Sequence, residues 1–181
     1  NLPRVSNSDK DRLKKYVLKE GDIVFSRVGS VDRCSYVDKT HAGWMFSGRC
    51  LRVRPNTEID SEYLYYYFCM DEIKEFVRNI AVGATMPSIN TKLLGEVTVR
   101  FPDLVQQKKI AGVLSAIDGK IKVNQKINDN LLWQAQALYK DRFIDLKPFN
   151  GKMPPDWQLG TVSEIIELHD SKRIPLSSRE R

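Results

Sequence analysis

Four Lys or Arg side chains fall between residues 27 and 49, namely Arg27, Arg33, Lys39 and Arg49, with Ser30 in a glycine turn among them. Cations neutralise phosphates, and guanidinium forks and hydroxyls reach base edges, so the set fits contact with DNA. Arg27 follows an apolar run and precedes Val28-Gly29-Ser30, a turn from which a guanidinium is readily presented. The competing reading is a group of solvated loop charges. Met86, Ser88, Asn90 and Lys92 form a weaker set in a second loop. Tyr63, Tyr65, Tyr66, Tyr67 and Phe68 offer rings on which bases stack. Helical spacing nevertheless turns most of those rings toward a core.

Other chemistries find less support. Cys34, Cys50 and Cys69 form no Cys-x-x-Cys pair, and His41 and His169 lie far apart, so no metal-ligand spacing emerges. The three cysteines are expected to be buried free thiols. No phosphate-cradling glycine loop follows a strand. Met153-Pro154-Pro155-Asp156 only echoes the Asn-Pro-Pro-aromatic signature of amino-methyltransferases. Pro102-Asp103 has no acidic-x-Lys partner of the kind nucleases use, and Ser, His and Asp occur without triad-like spacing.

The elements that must carry these residues are readable in outline. Lys10 to Lys19 is expected to form a short helix, and Glu20-Gly21-Asp22 a turn. Ile23–Arg27 is an apolar strand, and strand-like runs recur at Ser35–Val37 and Trp44–Phe46. Cys50–Arg54 alternates, with Leu51 and Val53 on one face and Arg52 and Arg54 on a face left to water. Ser61 is the expected N-cap of one helix, Glu62–Ile80. Val97–Phe101 alternates as a further strand ended by Pro102. Trp44 and Trp157 are read as core or domain-edge packing.

From Asp103 to Asp145 the chain has no proline and only two glycines. Ile110, Leu114, Ile117 and Ile121 are spaced four, three and four apart; the register then passes through Asn124 and Asn128 and resumes at Leu131, Ala135 and Leu138. This heptad-like stripe with a polar interruption predicts a helix of roughly 60 Å that needs a helical partner. Pro148 ends it, Phe149–Pro155 is a linker, and Trp157, Val162, Ile165, Ile166 and Leu168 open a new element. The net charge is +6, with no polybasic tail, so a DNA-binding face has to be assembled by folding. No apolar run suggests a membrane span, and none suggests a signal peptide at Asn1-Leu2-Pro3-Arg4. The reading is a cytoplasmic protein without membrane association, and the start at Asn1 reads as a trimmed or truncated product.

This order of segments resembles the DNA specificity subunits of type I restriction–modification systems. The resemblance rests on Gly21-Asp22-Ile23-Val24-Phe25-Ser26-Arg27-Val28-Gly29-Ser30, and on Gly83-Ala84-Thr85 with Ile89, Leu94 and Phe101-Pro102. It continues through Gln106-Gln107-Lys108-Lys109-Ile110-Ala111, Ile117-Asp118-Gly119-Lys120-Ile121, and Leu131, Ala135, Leu138-Tyr139 and Phe143. It ends with Pro154-Pro155-Asp156-Trp157 and Arg173-Ile174-Pro175-Leu176. The resemblance implies an α+β fold, a target recognition domain of mixed strands and helices joined to a long helix that forms a coiled coil. Residues 1–102 would be the C-terminal part of a recognition domain, 103–147 the helical spacer, and 148–181 a linker and the start of a second recognition domain.

In the family each recognition domain reads half of a bipartite site, and paired helices set the gap and bind the modification subunits. The implied role is therefore non-catalytic target recognition on double-stranded DNA. The implied partners are modification (methyltransferase) and restriction subunits, with self-association to a homodimer through the long helix. The methyl donor, S-adenosylmethionine, belongs to the modification subunit, so no cofactor is expected here. Ile110, Leu114, Ile117, Ile121, Asn124, Asn128, Leu131 and Leu138 would form the helix–helix interface. The sequence departs from the full pattern: it has one helical region, lacks the beginning of the first domain and stops early in the second. A rearranged half-subunit is a second reading. A truncated interaction protein that binds modification subunits or itself, without sequence-specific DNA binding, is the functional alternative, and an enzyme comes third.

Overall fold

The computed structural model describes residues 4–167. His169 and the Arg173–Leu176 motif lie outside the described residues, as does Leu168. The chain divides into two compact units, one through Val123 and one from Asn124 onward.

The first unit is built on a three-stranded antiparallel sheet of order β2-β1-β3, with β1 Ile23–Ser26, β2 Cys34–Tyr36 and β3 Cys50–Val53. Ile23 stands opposite Tyr36 and Val53, and Phe25 opposite Cys34 and Leu51. The period of two sends Ile23 and Phe25 inward, where both are buried with Leu51. Helices cover that face: α2 Ser61–Phe68 supplies Leu64 and Phe68, and α3 Asp71–Ile80 supplies Val77. Val31, Ile89 and Leu94, the last from α4 Thr91–Leu94, complete the core. The Phe25 and Phe68 rings meet edge to face at 4.9 Å.

Several elements differ from the sequence expectation. The single helix Glu62–Ile80 is two helices, broken at Cys69-Met70, and its first N-cap is Asp60, whose side chain accepts from the Tyr63 N–H. Geometry requires the break. At 100° per residue an unbroken helix would point Leu64 and Phe68 about 180° away from Ile73 and Val77. Restarting at Asp71, with acidic residues in the first turn, aims both pairs at one core.

The N-terminal helix, α1 Asn7–Arg12, starts earlier than expected because the Ser6 side chain caps it, and Lys14–Tyr16 forms a separate 3-10 turn. Trp44–Phe46 is no strand; it contributes one bridge, Val17 to Met45, and Trp44 is exposed against the His41 ring. Val97–Phe101 is irregular. It finds no neighbouring strand, and the Tyr63 and Tyr67 hydroxyls take over part of the ladder's role by donating to the carbonyls of Arg100 and Thr98 at 2.8 and 3.1 Å. The tyrosine cluster thus has structural duties, but of its five rings Phe68 alone is buried and Tyr65 alone packs beside it on the core, fewer than helical spacing predicts.

The cysteines are half-buried rather than buried. The Cys34 thiol of β2, with help from Tyr65, holds the neighbouring Cys69 thiol, just past the end of α2, below its usual range against the opposing effect of burial.

The face of Arg52 and Arg54 is not simply wet. Arg54 grips the buried Asp22 carboxylate with Nε and Nη2 at 2.6 and 2.7 Å, and the Lys19 N–H donates to the same carboxylate at 2.7 Å. Burial pushes Asp22 up, but these partners outweigh it and its pKa lies below the usual carboxylate range. Arg52 donates from Nη1 to the carbonyls of Lys15 and Val17.

The long helix, α5, runs Leu104–Tyr139 and continues as a π-turn, Lys140–Ile144. Gln107 and Ala111 are buried against the first unit. In the second unit Leu146 and Asn150 adopt left-handed backbone around a 3-10 turn, Lys147–Phe149, which contains Pro148. Phe143 stacks on half-buried Trp157 at 5.9 Å, consistent with the packing role expected of that indole. Val162, Ile165 and Ile166, in and just after the short α6 Val162–Ile165, are exposed. Among the described residues no helix is long and apolar enough to cross a membrane.

Candidate nucleic-acid interface

β1 ends at Ser26, and the backbone there fixes three arginines at one end of the sheet. The Ser26 N–H donates to the Arg33 carbonyl at 3.0 Å, and the Arg27 N–H to the Arg49 carbonyl at 2.8 Å. Arg27, Arg33 and Arg49 are all exposed, as is Ser30 in the turn between them. Among the described residues none of the three arginines has a carboxylate within ion-pairing distance. The nearby Asp32 is neutralised from another direction, by Arg78 of α3 at 2.6 Å.

The second loop joins this end. The Gly29 N–H donates to the Pro87 carbonyl at 2.8 Å and the Ile89 N–H to the Arg27 carbonyl at 3.0 Å. Val82 and Ser88 exchange backbone bonds at 2.9 and 2.8 Å, closing the loop at its neck. Gly83 lies at φ +110, and a Cβ there would meet the Met86 carbonyl oxygen at 2.7 Å, so glycine is required. Arg27, Val28, Gly48, Val82, Ser88 and Asn90 are among the residues that line an open groove of about 510 Å³.

The structure therefore brings Arg27, Ser30, Arg33 and Arg49 together with the Met86–Asn90 loop. It does not bring Lys39 to them. Lys39 follows β2 at the end where Tyr36 pairs with Ile23, the opposite end of the sheet. Its neighbours form a local knot, in which Thr40 and His41 bond the Asp38 carboxylate and hold it down to about 2. In the weaker set, Ser88 donates its hydroxyl to the Val82 carbonyl and Asn90 caps α4, while Met86 and Lys92 are exposed.

Of the expected helix-interface residues, Ile110, Ile117, Ile121, Leu131 and Leu138 are exposed, as are Asn124 and Asn128, and Leu114 is half-buried. The exposed apolar surface is wider than the stripe. Ile127, Leu132 and Trp133 also face out, and Ile127, Leu131 and Leu132 flank the two asparagines at helical spacing.

Sequence reasoning missed Gln107. Its Oε1 accepts from the Asp60 N–H at 2.7 Å, and its Nε2 donates to the carbonyls of Pro102 and Glu58 at 2.8 and 3.3 Å. Farther along α5, Asp118 accepts from the Tyr66 hydroxyl at 3.1 Å. Asp22 was missed too. Only its place in the Gly-Asp pair hinted at a role, and that role is internal. Among the described residues no cluster of His, Cys, Asp and Glu is arranged to hold a metal ion.

Comparison with known proteins identifies the family of the chain. The type I restriction modification DNA specificity domain matches residues 1–132. The MjaIX specificity subunit of Methanocaldococcus jannaschii is 31% identical over 132 residues, covering 67% of this chain and 31% of that protein. The HindI specificity subunit of Haemophilus influenzae is 30% identical over 142 residues, covering 76% of this chain and 31% of its own length. The chain thus spans about a third of these curated relatives. Two solved structures share the fold at 18% identity, each aligned over 78% of this chain and 37% of the other. One is the HsdS subunit of Thermoanaerobacter tengcongensis, with a TM-score of 0.50. The other comes from a study of complex assembly and conformational transition in the type I R-M system, with a TM-score of 0.56. With three quarters of its length matched by the domain and its mixed α+β architecture shared with these structures, the chain belongs to the type I restriction modification DNA specificity domain family.

Proposed function

We propose that this chain is a non-catalytic DNA-recognition element of a type I restriction–modification complex. In this reading Arg27, Ser30, Arg33 and Arg49 contact duplex DNA at one half of a bipartite target. The methyl transfer and the cleavage belong to modification and restriction subunits. The observation that carries the reading is the group of exposed arginines without carboxylate partners, set around one end of the sheet and sewn to the Gly83–Asn90 loop. Paired cations such as Arg54 and Arg78 serve the fold; unpaired ones on a rigid edge are available to phosphates and base edges. Lys39, at the other end of the sheet, is a separate and weaker contact in this proposal.

A gel-shift titration over salt concentration, with the chain alone and with modification subunits added, tests it. Binding is expected to weaken steeply with salt, and Arg33→Gln with Arg49→Gln to reduce it at least tenfold. Wild-type affinity in that double variant would remove the arginine edge from the interface.

A second role rests on α5. Its exposed run of Ile110, Ile117, Ile121, Leu131 and Leu138 supports burial against a helical partner, either a second copy of this chain or the helices of a complete complex. Light scattering of the purified chain at tens of micromolar (an order-of-magnitude range for weak association) is expected to give a dimer. A strict monomer there would leave the helix to a different partner.

A further inference from the structure

A second cationic concavity lies at the other end of the sheet. It encloses about 360 Å³ and is lined by Lys10, Lys14, Lys15, Lys19, Arg52 and Arg54, with Asp11 as the one acid and Val17 beside them. Its walls are assembled by Arg52 of β3 and Arg54 just after it. Arg52 holds the Lys15 and Val17 carbonyls, and Arg54 is locked to Asp22, to which the Lys19 backbone also donates. These contacts staple the Lys14–Lys19 segment to the sheet and gather its lysines on one concave surface.

Charge balance separates this surface from an ordinary solvated face. Arg54 is neutralised by Asp22, and Lys14 reaches Asp11 only at 3.7 Å between two exposed groups. Among the described residues, Lys10, Lys15 and Lys19 have no carboxylate within ion-pairing distance. Arg52 has no carboxylate within that distance either; its guanidinium donates to two carbonyls and lies over the Phe46 ring, 5.6 Å from the centroid. Crowded cations repel one another, and a polyanion relieves that cost.

We propose that this pocket binds the phosphate backbone of duplex DNA, without regard to sequence, as a site separate from the arginine edge. Register supplies the scale. Arg54 follows Val53, which pairs with Ile23 at the start of β1, whereas Arg27 and Arg49 lie beyond its end at Ser26. Five residue steps separate Arg49 from Arg54, roughly 17 Å at the strand rise and more than the roughly 12 Å width of the major groove. The two surfaces are therefore far enough apart to engage separate phosphates of one duplex. The proposal rests on the DNA reading above for its ligand, and its residues are different.

The test uses the full chain and a fluorescent 20-base-pair duplex of random sequence, with anisotropy followed over salt concentration. One variant carries Lys10→Gln, Lys14→Gln, Lys15→Gln and Lys19→Gln; a second carries Arg27→Gln, Arg33→Gln and Arg49→Gln. Arg52 and Arg54 stay intact because they hold the fold, and circular dichroism melting checks that both variants are folded. The lysine variant is expected to bind at least tenfold more weakly near 0.1 M salt, with a log–log salt slope shallower by about 3.6, roughly 0.9 for each of the four lysines removed. Wild-type affinity and slope in the lysine variant overturn the proposal. Loss of binding only in the arginine variant overturns it and leaves the arginine edge standing. Loss only in the lysine variant sustains it and removes the arginine edge. Failure of the wild-type chain to bind at low salt overturns both.

Discussion

The two halves of α5 obey the same helical geometry and meet opposite fates. From Leu104 to Asp118 the helix is fastened to the sheet and helices of the first unit. Gln107 and Ala111 are buried, Leu114 is half-buried, and Asp118 accepts from Tyr66. From Gly119 to Tyr139 every residue is exposed, although this half holds more large apolar side chains. Hydrophobic content therefore does not decide which half is covered within the chain. One amide does much of it. Gln107 satisfies a backbone donor and two backbone carbonyls at once, a match that no apolar side chain supplies and that a shifted helix would lose. An apolar stripe marks a face for burial, and buried polar bonds choose the partner and the register.

Substitutions can break or sharpen that contrast. Gln107→Ala carries the largest expected effect, because it removes the partner of the Asp60 N–H and of the Pro102 carbonyl, both in part-buried bonds. A loss of about 3 kcal/mol in urea unfolding is expected. A loss below roughly 0.5 kcal/mol, within the range of ordinary surface substitutions, would show that apolar contact alone fastens the helix.

In the exposed half, Asn124→Leu with Asn128→Leu extends the apolar surface that Ile127, Leu131 and Leu132 border. The expected gain is about 2 kcal/mol in an assembled state, below the full burial value for two leucines. Loss of the polar register is expected to yield mixed assemblies. A single species of unchanged mass and shape in sedimentation velocity would refute a register role for the asparagines.

Tyr66→Phe removes only the hydroxyl bond to Asp118. It is expected to cost about 1 kcal/mol and to speed amide hydrogen exchange around Asp118 before it affects Gln107. Unchanged exchange there would confine the anchor to the first turns of α5.

Much of the fold was legible in the sequence because it depends on local pattern. The apolar run of β1, the alternation in β3, the proline-free run of α5 and the stop before Pro148 all rest on neighbours in the chain. The break at Cys69-Met70 leaves no glycine or proline to mark it, but the half-turn offset between Leu64 with Phe68 and Ile73 with Val77 was readable. Val97–Phe101 misled because alternation describes a strand's faces and says nothing about a pairing neighbour.

The candidate interface was legible as a set of residues, not as a place. Only the strand register joins Arg33 and Arg49 to Arg27 and sends Lys39 to the far end of the sheet. Whether a cation binds a carboxylate or stays available is also a long-range fact. Arg54 differs from Arg49 because it meets Asp22, 32 positions earlier in the chain.

The neck between Val82 and Ser88 has a consequence for engineering. Reciprocal backbone bonds seal the base of this loop while Ala84, Thr85 and Met86 face outward, so the loop's tip is mechanically insulated from the core. The segment is expected to serve as an interchangeable cassette. Its side chains can be randomised, or its tip lengthened by a few residues, while the two closing bonds keep the graft points fixed beside Arg27. The entropic cost of a longer loop grows slowly with length. A display library built at these positions, with Gly83 retained, would vary the chemistry offered next to the arginine edge without asking the sheet beneath it to refold.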